Sequence, residues 1–435
     1  MIETNSFQSS YVRRTVDDEL DEILAQLPAV LLDGAKGVGK TSTAVQRSRT
    51  VRRLDVDSER AVAEADPFVI ASDDPPVLID EWHRVPAVWD AVRRLVDDGS
   101  PGGRFLLTGS PPGVGIGAST HSGAGRIASV RMRPLSFAER HPGCATVSFA
   151  GLLEGREARR SSISGRSAVT LVDYVDEIVS SGFPGMRHFT GRALATQLDG
   201  YVDRIVEHDL PEAGFTVRRP ATVRRWLTAY AAAVSTTASF EKIRDAARGS
   251  SASAPAKATT MAYTELLTAL RIVDPIEAWL PTRNHFARLS SAPKHQLVDP
   301  ALAVRLLDRT RHHLLAGEEG PVAVPRNGTL LGALFESLAG LSVRSAAQAA
   351  AARTSHLRTD GGRHEVDFIV ERDGGVLALE VKLASTVTSA DVRHLLWLRE
   401  KLGDDLVDAV VITTGPEAYR RSDGIAVVPL ALLGP

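Results

Sequence analysis

The chain has 435 residues, 43% hydrophobic and 24% charged, which points to about two or three domains and excludes a disordered, collagen-like or coiled-coil chain. A formal net charge of −2 excludes a polycation that coats nucleic acid along its whole length, although a local basic face stays open. The one cysteine, Cys144, excludes an internal disulfide and a Cys-rich zinc site, and the opening MIETNSFQSSYVRR lacks an apolar leader core; with no apolar run approaching a membrane span, a cytoplasmic protein without a membrane segment is expected.

The first third alternates strand and helix patterns. The apolar run at Ala29–Asp33 and the stretches Val51–Asp57, Val77–Asp80, Phe105–Thr108 and Ser129–Arg133 are candidate strands, with helical spacing between them, as at Pro86–Asp98. Such alternation predicts a parallel sheet. Ser110–Gly125, rich in Gly, Ser and Pro, reads as a loop. After a helix at Leu171–Ser180, SGFPGM (Ser181–Met186) punctuates the chain and marks a boundary near 183. Helical patterns follow at Leu198–Leu210, Ala221–Ser235, Ser239–Arg248 and Lys257–Leu270. Strand character returns at Glu365–Glu371, Val376–Lys382 and Asp408–Thr413, flanked by helices at Leu330–Arg344 and Ser389–Leu402.

Gly34 to Thr41 reads GAKGVGKT, a full match to G-x-x-x-x-G-K-[ST], and it follows an apolar strand and opens a helix. The nucleotide cradle is Gly34, Ala35, Lys36, Gly37, Val38, Gly39, Lys40, Thr41 and Ser42. Gly37 and Gly39 let backbone N–H groups turn inward onto ATP phosphates, Lys40 reaches the β- and γ-phosphates, and the Thr41 hydroxyl ligates Mg²⁺. Seven of the 51 basic residues are Lys, so a lysine within a motif carries weight here. The alternative is a chance glycine-rich turn.

VLIDE (Val77–Glu81) puts an acid at the end of a buried strand, where Asp80 binds Mg²⁺ through water and Glu81 polarises the attacking water; the alternative is a helix cap by Asp80. Thr108, ending FLLT, is placed to touch the γ-phosphate or the water, or else simply forms a turn. Arg126, after the Gly-rich loop, is either a finger reaching a phosphate in cis or from a neighbouring subunit, or a solvated Arg. Arg13 and Arg14 precede the first helix and are placed near the base or ribose.

GAKGVGKT, VLIDEWHRVP, FLLTGS, AGR and PLSFAE (Pro134–Glu139) together resemble a prokaryotic family of AAA-type ATPases related to archaeal and STAND-like NTPases. Four later stretches are similar to signatures of that family: SGFPGM, VEHDL (Val206–Leu210), PKHQLVD (Pro293–Asp299) and GALFESL (Gly332–Leu338). The resemblance implies ATP binding, slow hydrolysis and a target that the family does not name. In many members Arg-Gln stands where this chain has Lys36-Gly37.

Ser239–Leu280 reads as two short helices around a polar turn and then an apolar stretch, a helix-turn-helix or winged-helix pattern. Lys257, Thr259 and Thr260 open its second helix, the end that meets bases or phosphates in DNA readers. That helix has few basic residues, and a packing module gives the same pattern. The adjacent His312-His313 pair splays apart on a helix and reads as surface, and Ser110 lacks a G-x-S-x-G elbow.

In the tail, Glu336 lies on an apolar helix, Asp367 on a strand, and Glu380 and Lys382 two apart on the next strand, hence on one face. A hairpin with RDGG as its turn brings Asp367 beside Glu380. This order resembles PD-(D/E)XK nucleases. It implies Mg²⁺ held by Asp367 and Glu380, support from Glu336, and water oriented or activated by Lys382. The alternative is the fold without the chemistry.

The fold class is α/β: a P-loop, AAA-like parallel-sheet domain over residues 1–183, a helical or winged-helix domain over 184–320, and a small restriction-nuclease-like α/β domain over 321–435. Three functions compete. One is an ATPase coupled to its own nuclease domain on DNA or RNA. Another is a nucleotide-dependent switch on a partner protein, and the third a nucleotide-gated DNA-binding regulator. Oligomeric state stays open.

Overall fold

Apolar runs without polar alternation form the three central strands of a parallel sheet, buried as such strands require. β1 (Ala29–Asp33), β2 (Thr50–Arg53), β3 (Val77–Asp80), β4 (Phe105–Thr108) and β5 (Ala128–Arg131) lie in the order β2-β3-β4-β1-β5, and every pair is parallel. The computed structural model describes residues 11–109, 123–155, 163–248, 256–279, 292–322, 324, 328–359 and 362–435. Ser110 and most of the Gly-rich loop lie outside them. α1 (Val16–Gln26) precedes β1, α2 (Lys40–Val45) follows it, α3 (Asp57–Ala65) follows β2, and α4 (Pro86–Asp97) follows β3. β2 ends sooner than expected because Asp57 opens α3.

The helical stretch comprises α5 (Leu171–Val179), α6 (Gly191–Arg204), α7 (Pro220–Ala232), α8 (Phe240–Ala246), α9 (Lys257–Ala269), α10 (Pro300–Leu306) and α11 (Arg311–Leu315). The helix expected at Leu198–Leu210 starts earlier, at Gly191, and ends in a π turn at Ile205–Asp209. Widened turns of this kind recur at functional sites. α12 (Leu330–Ala349) is long and apolar enough to cross a membrane by length and composition, against expectation, yet 72% of its apolar window is buried inside the protein. It is the central core helix and packs on α1, α5, α10 and the C-terminal sheet.

Three two-residue strands, β6 (Val147–Ser148), β7 (Gly165–Arg166) and β8 (Ala278–Trp279), precede the tail. The tail holds β9 (Arg353–Thr359), β10 (His364–Arg372), β11 (Gly375–Lys382), α13 (Arg393–Leu402), β12 (Leu406–Thr413), β13 (Glu417–Arg420), β14 (Ala426–Pro429) and β15 (Leu433–Gly434). Eight strands form a mixed sheet in the order β7-β13-β14-β12-β11-β10-β9-β8. Asp373 and Gly374 turn the β10–β11 hairpin with φ of 52° and 83°, the left-handed pair that a tight hairpin turn needs.

The pairing of β7 with β13 and of β8 with β9 crosses the expected divisions near 183 and 320. One large apolar cluster covers a face of each sheet and the helices between them. The opposite face of each sheet has its own smaller cluster.

Candidate functional site

The phosphate loop leaves the C-terminal end of β1 and opens α2. Gly34 has no room for a side chain: a Cβ there would lie 2.3 Å from the Met132 carbonyl oxygen. Gly39 has a φ of 100°, in the left-handed region that favours glycine. Ala35 and Val38 are buried, while Gly37 and Ser42 face outward. Lys40 curls back over the loop and donates to the carbonyls of Gly34 at 2.7 Å and Ala35 at 3.0 Å. Burial pushes its ammonium down to about 8, against the pull of Glu81, Asp33 and Asp80.

Thr41 Oγ1 donates to Asp80 Oδ1 at 2.9 Å. Thr108 donates to the same oxygen. Thr108 is fully buried, and its hydroxyl holds the Asp80 carboxylate in place. An adjoining hydroxyl and carboxylate at the end of a buried strand fit Mg²⁺ and its water shell.

Glu81 has a φ of 55°, a conformation that non-glycine residues adopt chiefly where surrounding structure compels it. Its Oε2 lies 3.4 Å from His83 Nδ1. Burial and the Asp80 charge push the Glu81 carboxyl up. Burial, aided by Arg84, pushes His83 down to about 4, leaving it neutral near pH 7.

Arg14 is not free to meet a base or ribose as expected. Arg13 pairs with Asp18 at the surface. Arg14 is buried and supports the loop from behind, donating to the Val38 carbonyl at 2.8 Å and the Arg133 carbonyl at 2.7 Å, with Glu139 at 3.1 Å. Glu139 closes the capping box of Ser136 within PLSFAE. Arg126 bonds Asp97, at the end of α4, at 2.6 Å. It precedes β5 at the N-terminal edge of the sheet, whereas the loop leaves the C-terminal edge. A five-residue strand separates the two edges, about 17 Å at 3.3 Å per residue, so Arg126 does not serve its own chain's phosphate loop.

The loop is tied to the helical region. Lys36 Nζ bonds Asp209 Oδ1 at 2.6 Å, in the π turn, and Glu212 Oε2 at 3.3 Å. The Tyr201 hydroxyl donates to the Lys36 carbonyl at 2.9 Å. Asp33, just before the loop, accepts from Arg271 Nε at 2.8 Å. Asp274 lies 3.6 Å from Arg131, 3.4 Å from Arg133 and 2.7 Å from Arg344. Although burial opposes it, these guanidinium groups hold the Asp274 carboxyl well below its ordinary range.

The second candidate site is a polar cavity of about 570 Å³, and Glu336, Asp367, Glu380 and Lys382 all line it. Phe368 pairs with Leu379, so by continuation of that register Asp367 and Glu380 are direct cross-strand neighbours on one face. The Val381 N–H donates to Asp367 Oδ2 at 2.8 Å, and Lys382 Nζ donates to Glu380 Oε1 at 2.7 Å.

The sequence reading did not single out Lys294, within PKHQLVD. Its ammonium donates to Glu336 Oε1 at 2.8 Å and to Asp367 Oδ1 at 2.9 Å. The scarcity of lysine was the one signal that could have marked it. Burial and the Asp367 charge push Glu336 and Glu380 up. Against burial, Lys294 holds Asp367 below its ordinary value. The Mg²⁺ expected at this cluster therefore does not fit it as folded, because an ammonium already bridges Glu336 and Asp367.

The middle region corrects two further expectations. Thr260 is 5% exposed and its hydroxyl donates to the Lys257 carbonyl at 2.9 Å. Lys257 faces Glu241 at 3.6 Å, and Thr259 is half-buried. Thr260 is thus not free to read a base edge, and β8, as far as it is described, pairs in parallel with β9. His312 and His313 do not splay fully apart: with Glu318 they offer ligand atoms within 4.8 Å of one another at the surface.

Residues 26–141 match the model of a family described as an AAA domain; with the parallel sheet and the loop, this segment is an AAA-type P-loop ATPase domain. Residues 171–313 and 331–433 match two domains of unknown function, DUF8612 and DUF4143. The chain is 25% identical over 424 residues to uncharacterized proteins of Mycobacterium tuberculosis and Mycobacterium bovis, a match covering 96% of this chain and 83% of each relative. Among solved structures it is similar to a Walker-type ATPase of Pyrococcus abyssi, with 18% identity, 69% of this chain and 99% of that one covered, and a TM-score of 0.40. It is also similar to the Aeropyrum pernix Orc1 protein in complex with DNA, with 12% identity, coverage of 72% and 96%, and a TM-score of 0.21.

Proposed function

We propose that this chain binds ATP with Mg²⁺ at the phosphate loop, hydrolyses it, and passes the nucleotide state to its helical region. Lys40 and the loop N–H groups bind the phosphates. Thr41 and Asp80 hold Mg²⁺, which would neutralise phosphate charge. Glu81 polarises the attacking water, and Thr108 keeps Asp80 oriented.

The observation that carries this reading is the Lys36–Asp209 pair at 2.6 Å. A residue inside the loop is bonded to the helical region, so phosphates entering the loop compete with that bond for Lys36. Hydrogen exchange with Mg²⁺–ATP and with Mg²⁺–ADP tests the switch. Protection over residues 191–212 should differ between the two nucleotides, and identical exchange in both would discard it. Calorimetry showing no ATP binding would discard the nucleotide reading itself.

A second reading is supported by the convergence of Glu336, Asp367, Glu380 and Lys382 on one cavity. There the C-terminal sheet acts on DNA or RNA, with Lys382 orienting the attacking water. Incubation with plasmid, linear DNA and RNA in Mg²⁺ or Mn²⁺ tests it. Cleavage that persists in Lys382→Ala would assign the activity elsewhere.

A further inference from the structure

We propose that the C-terminal acid cluster carries its own cation: the buried Lys294 ammonium occupies the seat between Glu336 and Asp367 that a divalent metal ion would take, and a metal enters only after Lys294 withdraws. This rests on the second reading in taking Glu336, Asp367 and Glu380 as one ligand set.

The ammonium is held from all sides. Its side chain is 1% exposed, and a buried charge of this kind persists only where it is paired. It lies 2.8 Å from Glu336 and 2.9 Å from Asp367, with Glu365 at 3.9 Å. The backbone fixes where the side chain starts. Lys294 and Ile276 exchange both of their N–H···O bonds at 2.9 Å, and on the next residue the His295 N–H donates to Thr236 at 2.8 Å.

The charge arrangement completes the case. Lys294 and Lys382 already bond the three carboxylates of Glu336, Asp367 and Glu380. A metal would therefore enter a cluster whose charge is largely neutralised. One oxygen, Glu380 Oε2, is buried without a hydrogen-bond partner among the described residues. With Lys294 gone, Glu336 Oε1, Asp367 Oδ1 and this oxygen form an oxygen set suited to a hard divalent ion. The strap bearing Lys294 also reaches the ATPase sheet, because the Asp274 N–H donates to the Gln296 carbonyl at 2.9 Å, and Asp274 faces Arg131 and Arg133 from β5 and the residues after it.

Mn²⁺ titration of the full chain without nucleotide tests the proposal, comparing the native protein, Lys294→Met, and Lys294→Met combined with Asp367→Asn. The first variant should bind Mn²⁺ about 100-fold more tightly than the native chain, and the second substitution should remove the gain. Equal affinity in native and Lys294→Met proteins overturns the proposal. So does a native Mn²⁺ site, as tight as that of Lys294→Met, that disappears on Asp367→Asn alone. Should Lys294→Met fail to fold, thermal unfolding of Lys294→Gln gives the second measurement: Mn²⁺ should raise its Tm and leave the native Tm unchanged, and a variant Tm indifferent to Mn²⁺ overturns the proposal. Cleavage assays on Lys294→Met separate the two readings. Mn²⁺ bound without cleavage supports the Lys294 seat while removing the nuclease reading, and Mn²⁺ bound with cleavage supports both.

Discussion

At the phosphate loop, Lys40 gives its protons to backbone carbonyls and Asp80 takes its hydrogen bonds from two threonine hydroxyls. In the C-terminal acid cluster, Lys294 and Lys382 give theirs directly to carboxylates. The residue types are alike and the consequences opposite. A lysine held away from the acids leaves its own charge for a phosphate and theirs for a metal. A lysine bonded to the acids cancels them and closes the seat to an outside cation. Four of the chain's seven lysines, Lys36, Lys40, Lys294 and Lys382, serve these two places.

The largest effect expected is on turnover. Glu81→Gln should slow ATP hydrolysis by about 10²–10⁴-fold while ATP still binds, measured by phosphate release beside calorimetry. Native turnover in that variant would mean that another group orients the water. Next comes affinity. Lys40→Ala should weaken ATP binding by about 10–100-fold, whereas Lys382→Ala should leave it unchanged; a matching loss in both variants would erase the distinction between the two sites.

A smaller effect concerns the link to the helices. Asp209→Asn should alter ATP affinity by about 2–5-fold, the range of a partly exposed ion pair. It should also abolish the nucleotide dependence of exchange over residues 191–212, and an unchanged dependence would shift the coupling to Asp33 and Arg271.

A further effect is one of pH, and it probes the anchoring of the segment that bears Lys294. His356 Nε2 lies 3.1 Å from the Ala292 carbonyl. Burial, with the Lys294 charge, pushes this histidine from 6.5 down to about 3. Between those values the unfolded chain takes up a proton that the folded chain refuses, so stability falls as pH drops through that window. His356→Gln should flatten this part of the Tm-against-pH curve, and an unchanged slope would place the acid sensitivity on other groups.

Local pattern alone was enough for much of this protein. The apolar runs of the parallel sheet, the GAKGVGKT loop, the acid pair of VLIDE, the left-handed turn at Asp373-Gly374 and the shared face of Glu380 and Lys382 all depend on residues within a few positions of one another. Periodicity and turn chemistry report such neighbours directly. Tertiary structure decided the rest. Thr108 holds Asp80 across 28 residues of sequence, Lys36 meets Asp209 across 173, and Lys294 reaches Glu336 across 42 and Asp367 across 73. Arg126 and Thr260 carried plausible chemistry in the sequence, yet one lies at the far edge of the sheet and the other is buried. These pairings depend on which faces the common apolar core brings together, and that is a property of the whole packed chain rather than of any stretch within it.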